Sequence, residues 1–384
     1  MKPEVKPDYG GAGLVNLMAS IIAGRGGAPR HKTLTLLPAE ELASSANVVL
    51  LIIDGLGDGY LRRRGAGGEL ARRRRAAITS VFPPTTASAI TTTYTGCSPL
   101  EHGLTGWYTY FGGAGCVAAA LPFKARGEEA SLRRRAFTPE QAYLQPSLFG
   151  SLAARSIVVT FRDIIDSDYN VRHCAGAERR AYDSLDGLIL ETEKAVKSGA
   201  DRKFVYVYWP WYDTVSHRFG CESAQAFAEL EKIDAAFGAL LARLAGTDTL
   251  VLATADHGFI DSAPEESLEL PAFLAAQLRF PLCGERRVAY CYVHSEKDFL
   301  QKARDHFGDR ADVRPSRELL EEGWFGPGEP HPSFAERIGD IALVMRDRYT
   351  IKDWTPGEAR YLHIGNHGGT SEDETLIPLI TEAA

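Results

Sequence analysis

The stretch Asn47-Val48-Val49-Leu50-Leu51-Ile52-Ile53-Asp54-Gly55-Leu56-Gly57 decides how the rest of this 384-residue chain is read. Six consecutive large aliphatic residues, four of them β-branched, specify a strand buried on both faces, as in the middle of a parallel sheet. The run stops at a carboxylate and a glycine. Asp54 therefore stands at the carboxyl end of the strand, the edge where open α/β sheets bind ligands. Taken alone, Asp54 reads equally well as the cap of the next helix. The pattern recurs, however: Leu250-Val251-Leu252-Ala253-Thr254-Ala255 runs into Asp256-His257-Gly258, and Phe204-Val205-Tyr206-Val207-Tyr208 leads to Asp213 and His217. Three strands thus deliver carboxylates and imidazoles to one edge.

Around this frame, Leu14 to Ile22 has the spacing of a short packing helix. The arginine runs 62–64 and 72–75 flank a Gly-rich segment and read as a solvated helix face. Ile78 to Pro84 is extended and stopped by its proline pair. The hydroxyl-rich run Thr85 to Gly96 then reads as a helix starting just after the prolines. A hydroxyl there can cap the helix, or serve as a nucleophile set against the positive helix end. From Trp107 to Pro146 the chain is irregular and reads as loops over the mouth of a site. Ser156–Thr160 is a strand, and 177–197 and 223–245 have helical spacing, so strand and helix alternate as in a doubly wound, mostly parallel α/β sheet with helices on both faces. Beyond Phe259 the pattern changes to strand 287–293, helix 296–307 and strand 341–345, with a Gly/Pro-rich passage between. Residues 260–355 accordingly read as a smaller inserted α+β subdomain, with 1–259 and 356–384 forming the main domain.

The net charge of −7 and the isoelectric point near 5.9 argue against a partner that is a nucleic-acid polymer. Any anionic substrate must be drawn in by local charge. Six dispersed cysteines without a CxxC pair read as reduced thiols, and neither a signal-like apolar run nor a membrane span is present. The expectation is a cytoplasmic protein without membrane contact; no motif assigns an oligomeric state.

Asp213 and His217 are four residues apart, so on a helical turn they face the same way and suit a divalent ion. Asp256-His257 are adjacent after a strand, and His367 lies in the glycine-rich run Gly365-Asn366-His367-Gly368-Gly369. Each histidine alone reads as an ordinary satisfied polar group; four such elements in this order do not. The ordered set Asp54, Thr86, Asp213-x-x-x-His217, Asp256-His257 and His367-Gly-Gly resembles the alkaline phosphatase superfamily, specifically its nucleotide pyrophosphatase/phosphodiesterase branch. That resemblance implies two divalent ions, commonly Zn2+ with Mn2+ as the alternative. Asp54, Thr86, Asp256 and His257 would hold one ion, and Asp213, His217 and His367 the other. It further implies Thr86 as nucleophile, a phospho-threonine intermediate, and a small phosphorylated substrate with a phosphodiester or pyrophosphate bond. Thr85 competes for the nucleophile's role by proximity, and Thr86 matches the family's position in Phe82-Pro83-Pro84-Thr85-Thr86.

Two departures bear on the substrate. Diesterases of this family carry an Asn after a His-Gly-aliphatic run, whereas here His102-Gly103-Leu104 leads to Thr105-Gly106-Trp107. Trp107 and Tyr108, by stacking, and Lys124, by charge, are the candidate substrate-binding substitutes. Cys97-Ser98-Pro99-Leu100-Glu101 has the spacing of a sulfatase Cys-x-Pro-x-Arg motif, but Glu101 stands where arginine is required. The alternatives are a phosphomonoesterase of the same superfamily, a phosphate-transferring mutase, and a metal-stabilised binding protein without turnover.

Overall fold

The aliphatic run forms the strand Asn47–Ile53, buried at all seven positions. This computed structural model describes residues 4–356, 358 and 360–384; the first three residues of the amino-terminal stretch, Gly357 and Ala359 lie outside the described residues. The strand is central in a seven-stranded sheet. It pairs in parallel with Lys203–Trp209 on one side and Thr249–Thr254 on the other. Outward from Lys203–Trp209 come Arg155–Phe161 and then Glu178–Tyr182, both parallel. Beyond Thr249–Thr254 come the antiparallel Leu376–Ala383 and the edge strand Arg74–Thr79. This is the expected α/β architecture with a mostly parallel sheet.

Because the central strand has no solvent face, both sides must be covered. One group of packed helices contains Leu14–Gly24 and Thr86–Thr95; another contains Leu185–Lys197, Trp211–Phe219 and Ala224–Leu244. Registers of Ile53 with Trp209 and of Ile52 with Thr254 end the three central strands level with one another. Among the described residues no helix is long and apolar enough to cross a membrane.

Three local expectations change. Half of the arginine run 72–75 belongs to the edge strand Arg74–Thr79 rather than to a helix face, and Arg74 pairs with buried Asp58. The strand Glu178–Tyr182 lies within a segment that reads as helix by spacing. It is the opposite edge strand, exposed at its charged end, and edge strands tolerate charge that hides their period. The stretch read as loops over the site supplies the strands Tyr108–Phe111, Cys116–Ala119 and Lys124–Ala125 to a second, antiparallel seven-stranded sheet. That sheet takes its other four strands, Cys283–Gly284, Val288–Cys291, Ala311–Pro315 and Ile341–Met345, from the segment 260–355.

A buried ion pair ties the two sheets together. Arg287 Nε and Nη2 donate to Glu374 Oε1 and Oε2 at 3.0 Å each, and both side chains are almost completely buried. Glu374 also accepts from the Gly369 amide at 2.7 Å and the Ser371 hydroxyl at 2.6 Å, which fixes the loop after His367. Arg287→Met is expected to destabilise the protein by roughly 3–5 kcal/mol in urea unfolding, because it leaves the Glu374 carboxylate buried and uncompensated.

Candidate active site

Each side chain at the sheet edge is delivered by a local feature of the sequence. Asp54 follows the central strand, and its amide continues the ladder by donating to Trp209 O at 3.0 Å. Gly55 then turns at φ +79°; a Cβ there would meet the Phe259 ring at 2.4 Å, so the close approach of the two loops requires glycine. Asp256 and His257 follow the strand Thr249–Thr254. Asp213 and His217 lie one turn apart on the helix Trp211–Phe219. His367 comes in on the short strand Gly365–Asn366, which pairs with Ile260–Asp261. The Ile364 amide bonds His217 O at 3.0 Å, holding that strand against the helix.

These six side chains and Thr86 meet in one place. His257 Nε2 lies 3.2 Å from Thr86 Oγ1, 3.3 Å from Asp54 Oδ1, 3.5 Å from Asp256 Oδ2 and 4.0 Å from Asp213 Oδ1. His217 Nε2 is 3.3 Å from Asp213 Oδ1 and 3.2 Å from His367 Nε2, while His367 Nε2 is 3.8 Å from Asp213 Oδ1. The backbone aims the rings: His217 Nδ1 is 2.9 Å from Gly365 O, and His257 Nδ1 is 3.1 Å from Gly258 O. With Nδ1 donating to a carbonyl, Nε2 is left as the lone-pair donor facing the cluster.

Whether this cluster fits cations is answered by its unsatisfied atoms. Asp54 Oδ1, Asp213 Oδ1 and Asp256 Oδ2 are buried without a hydrogen-bond donor. Buried carboxylate oxygens without partners are costly, and a cation among them removes the cost. Two sets of three groups have ligand atoms close enough for one ion each: Asp54, Asp256 and His257, and Asp213, His257 and His367. His217 joins the second set through its contacts with Asp213 and His367.

Burial pushes the Asp54 and Asp213 carboxyls upward, and it raises Asp256 to about 7, with the neighbouring Asp54 charge adding to the effect. Burial also lowers His217 to about 4 and His367 well below the usual imidazole range. Both trends are those of a polar cluster taken out of water; positive charge placed at its centre reverses the carboxyl trend and keeps the imidazoles neutral.

The structure separates the two adjacent threonines. Thr86 is the first residue of the helix Thr86–Thr95, half-buried, with its hydroxyl against His257. Thr85 is the N-cap, but its buried hydroxyl donates to Glu285 Oε1 at 2.6 Å instead of capping. Thr85→Val is expected to retain turnover within about tenfold in steady-state assays, since the lost hydrogen bond to a carboxylate contributes only roughly 1.5–3 kcal/mol to stability and Glu285 keeps the Trp107 amide as a donor.

A cavity of about 230 Å³ opens beside Thr86, Asp213, His217 and His367, and Trp107 and Tyr108 line it. The face of Tyr108 is taken by the Arg126 guanidinium at 4.7 Å, so Trp107 offers the freer ring. Lys124 does not reach the cavity: it sits on the far edge of the second sheet and pairs with exposed Glu129 at 3.1 Å. Its selection on charge alone is corrected by that placement. The cationic lining is instead Arg126, Arg286 and Lys352, with Glu285 and His363 also in the wall. Sequence reading missed these residues because they carry no spacing motif; Glu285-Arg286-Arg287, a charged run entering the strand Val288–Cys291, is the only local signal. Tyr208 was also missed. Its hydroxyl donates to Asp54 Oδ2, leaving Oδ1 free to face the cluster.

Comparison with known proteins places this geometry. No curated protein sequence matches the chain. Among solved structures, murine ectonucleotide pyrophosphatase/phosphodiesterase 5, as an inactive variant with AMP, superposes with a TM-score of 0.65 at 15% identity, over 86% of this chain and 87% of that one. Phosphonoacetate hydrolase from Sinorhizobium meliloti 1021, with phosphonoformate, gives 0.63 at 17% identity over 87% and 89%. The human ectonucleotide pyrophosphatase/phosphodiesterase 5 gives 0.64 at 17% identity over 87% of each. At such identities these likenesses establish the fold. The sequence pattern described as Type I phosphodiesterase / nucleotide pyrophosphatase matches residues 48–370, a span that begins in the central strand and closes just after His367. With Asp54, Thr86 and all three histidine-bearing elements of the site inside that span, the chain belongs to the type I phosphodiesterase/nucleotide pyrophosphatase family of phosphoester hydrolases.

Proposed function

We propose that this protein is a two-metal phosphodiesterase or nucleotide pyrophosphatase that works through a phospho-threonine at Thr86. One observation carries the reading: Asp54, Asp213 and Asp256 each turn a buried, unpartnered oxygen toward a group of imidazoles, one of which, His257, lies against the Thr86 hydroxyl. Asp54, Thr86, Asp256 and His257 would hold one divalent ion, and Asp213, His217 and His367 the other, with zinc first and manganese second in order of trial. When bound, such ions supply Lewis-acid stabilisation of the attacking and leaving oxygens in an in-line displacement. Thr86 Oγ1 sits at a helix start, where the backbone dipole favours the negative charge it develops. Its oxygen loses its proton to solvent and forms the bond to phosphorus as the ester or anhydride P–O bond breaks, and the alcohol or phosphate leaves with that oxygen. Water then hydrolyses the phospho-threonine and restores the hydroxyl. Tyr208 keeps Asp54 oriented by its hydrogen bond, and the carbonyls of Gly258 and Gly365 keep two imidazoles in register.

The segment 260–355 is proposed as an inserted unit that brings Glu285, Arg286 and Lys352 to the cavity, and Trp107 as the aromatic surface for a substrate ring. Six unpaired cysteines support a reducing, cytoplasmic setting. The test is hydrolysis of bis(4-nitrophenyl) phosphate against 4-nitrophenyl phosphate by the zinc-loaded protein. The diester is expected to be the better substrate in kcat/KM by at least about tenfold. A preference for the monoester would replace the diesterase reading with a phosphomonoesterase.

A further inference from the structure

Arg286 and Lys352 line the cavity that Thr86 faces, and both are half-buried there. The backbone holds them side by side, because the Ile351 amide donates to Arg286 O at 2.8 Å. Their aromatic supports are shared. The Lys352 ammonium lies 4.4 Å from the centre of the Trp354 ring and 4.8 Å from that of Tyr361, and the Arg286 guanidinium lies 5.2 Å from the Tyr361 ring. Arg286 Nη2 also donates to Tyr361 O at 3.4 Å.

Neither cation has a carboxylate oxygen within 4.0 Å among the described residues. The acids that could serve them are occupied elsewhere. Arg126 takes Asp353 at 2.7 Å and Glu358 at 2.8 Å, and Glu285 Oε1 accepts from Thr85 Oγ1 and the Trp107 amide at 2.6 Å each. Two like charges held together in a partly desolvated wall repel one another, and each has lost part of its hydration. Burial, followed by the Arg286 charge, lowers the Lys352 ammonium to about 8. Glu285 attracts Arg286, and Glu358 and Asp353 attract Lys352, but only across more than 4.0 Å, so among the described residues the pair has no carboxylate in contact with it and its remaining N–H donors suit an anion supplied from outside.

We propose that the substrate carries a second anionic group, a carboxylate or a phosphoryl group beyond the one attacked, and that Arg286 and Lys352 clasp it. The inference rests on the reading of this site as a phosphoester hydrolase and adds the substrate class to it. The cavity volume, about 230 Å³, lies below the roughly 300–1,000 Å³ usual for drug-sized ligands. A cavity of this size takes the phosphoryl end of the substrate and its second anionic group, with any ring outside against exposed Trp107, and Arg286 and Lys352 are the specificity-determining residues.

Calorimetric titration of the zinc-loaded protein tests this without turnover. Three probes share a phosphonate: 3-phosphonopropionate adds a carboxylate, ethane-1,2-diphosphonate a second phosphonate, and 3-phosphonopropionamide a neutral group. At least one doubly anionic probe is expected to bind about tenfold or more tightly than the amide. That advantage should vanish in Arg286→Gln and in Lys352→Gln and survive in Lys352→Arg. Which probe shows it identifies the second group as carboxylate or phosphoryl. Because the readout is a ratio within each variant, a general loss of folded protein cancels. Equal binding of all three probes, or an advantage that persists in both glutamine variants, overturns the proposal. Turnover of bis(4-nitrophenyl) phosphate, measured on the same preparations, reads the hydrolase assignment separately. A charge-dependent advantage without turnover overturns the hydrolase reading alone, and turnover without the advantage overturns the two-anion substrate alone.

Discussion

Thr86→Ala is expected to lower phosphodiester turnover by roughly 10⁴-fold or more while leaving most of the bound zinc in place. Removing a nucleophile in an enzyme with a covalent intermediate costs roughly 10⁴- to 10⁶-fold, because the residual electrostatic stabilisation acts on a reaction that has lost its attacking atom. Here the hydroxyl is a single contact in a cluster that contains three carboxylates and three imidazoles, so zinc retention does not depend on it. Elemental analysis and single-turnover kinetics on the same preparation separate the two roles. The complementary variant, Asp256→Asn, removes a charge from a fully buried position and should lose zinc and turnover together. If Thr86→Ala kept wild-type turnover, the nucleophile would have to be sought elsewhere in the cavity wall. Thr85, tied to Glu285, is poorly placed to substitute.

Stripping the ions with a chelator is expected to lower the melting temperature, and by more as the pH rises. At a free ion concentration a hundred times its dissociation constant, each bound ion adds about 2.7 kcal/mol to the folded state. Without ions, the pH dependence follows from the buried groups. The Asp256 carboxyl is raised to about 7, and Asp54 and Asp213 are raised as well, all chiefly by burial. The ion-free folded chain therefore holds protons that the unfolded chain releases near pH 4. The stability associated with those carboxyls is fully present below their unfolded values and is lost as pH rises through the folded ones.

The imidazoles act in the opposite sense. His217 is lowered to about 4 and His367 further, so their contribution grows between about pH 4 and pH 6.5 and is complete above it. The two effects oppose each other below about pH 6.5. Above it the carboxyls act alone, so the chelated protein should lose stability from pH 6.5 to 8 while the zinc-loaded protein stays level. Thermal unfolding across that range, with and without chelator, checks the sign. Equal melting temperatures at pH 8 in the two states would remove the basis for assigning cations to this cluster.

The amino-acid sequence by itself determined the central strand, the carboxylates at the ends of parallel strands, and the helical pairing of Asp213 with His217, because each is a local pattern. An all-aliphatic run has one low-energy use in a soluble fold, and its termination by Asp54 fixes an edge. A four-residue separation sets two side chains on one helix face whatever the surroundings. Edge strands were less legible, since solvent on one side lets charges such as Arg74 and Arg179 break the period. Only the tertiary structure distinguishes the surroundings of Thr85 from those of Thr86, because the Thr85 hydroxyl is engaged by Glu285, which lies 200 residues away from it. It likewise placed Lys124 on an outer edge of the second sheet, and brought Lys352 to the cavity beside Arg286 through the short strand Thr350–Lys352, whose Ile351 amide bonds Arg286 O. Charge can be read along a chain, but which charges share a cavity, and which of them have no carboxylate in contact, follows from packing between segments remote in sequence.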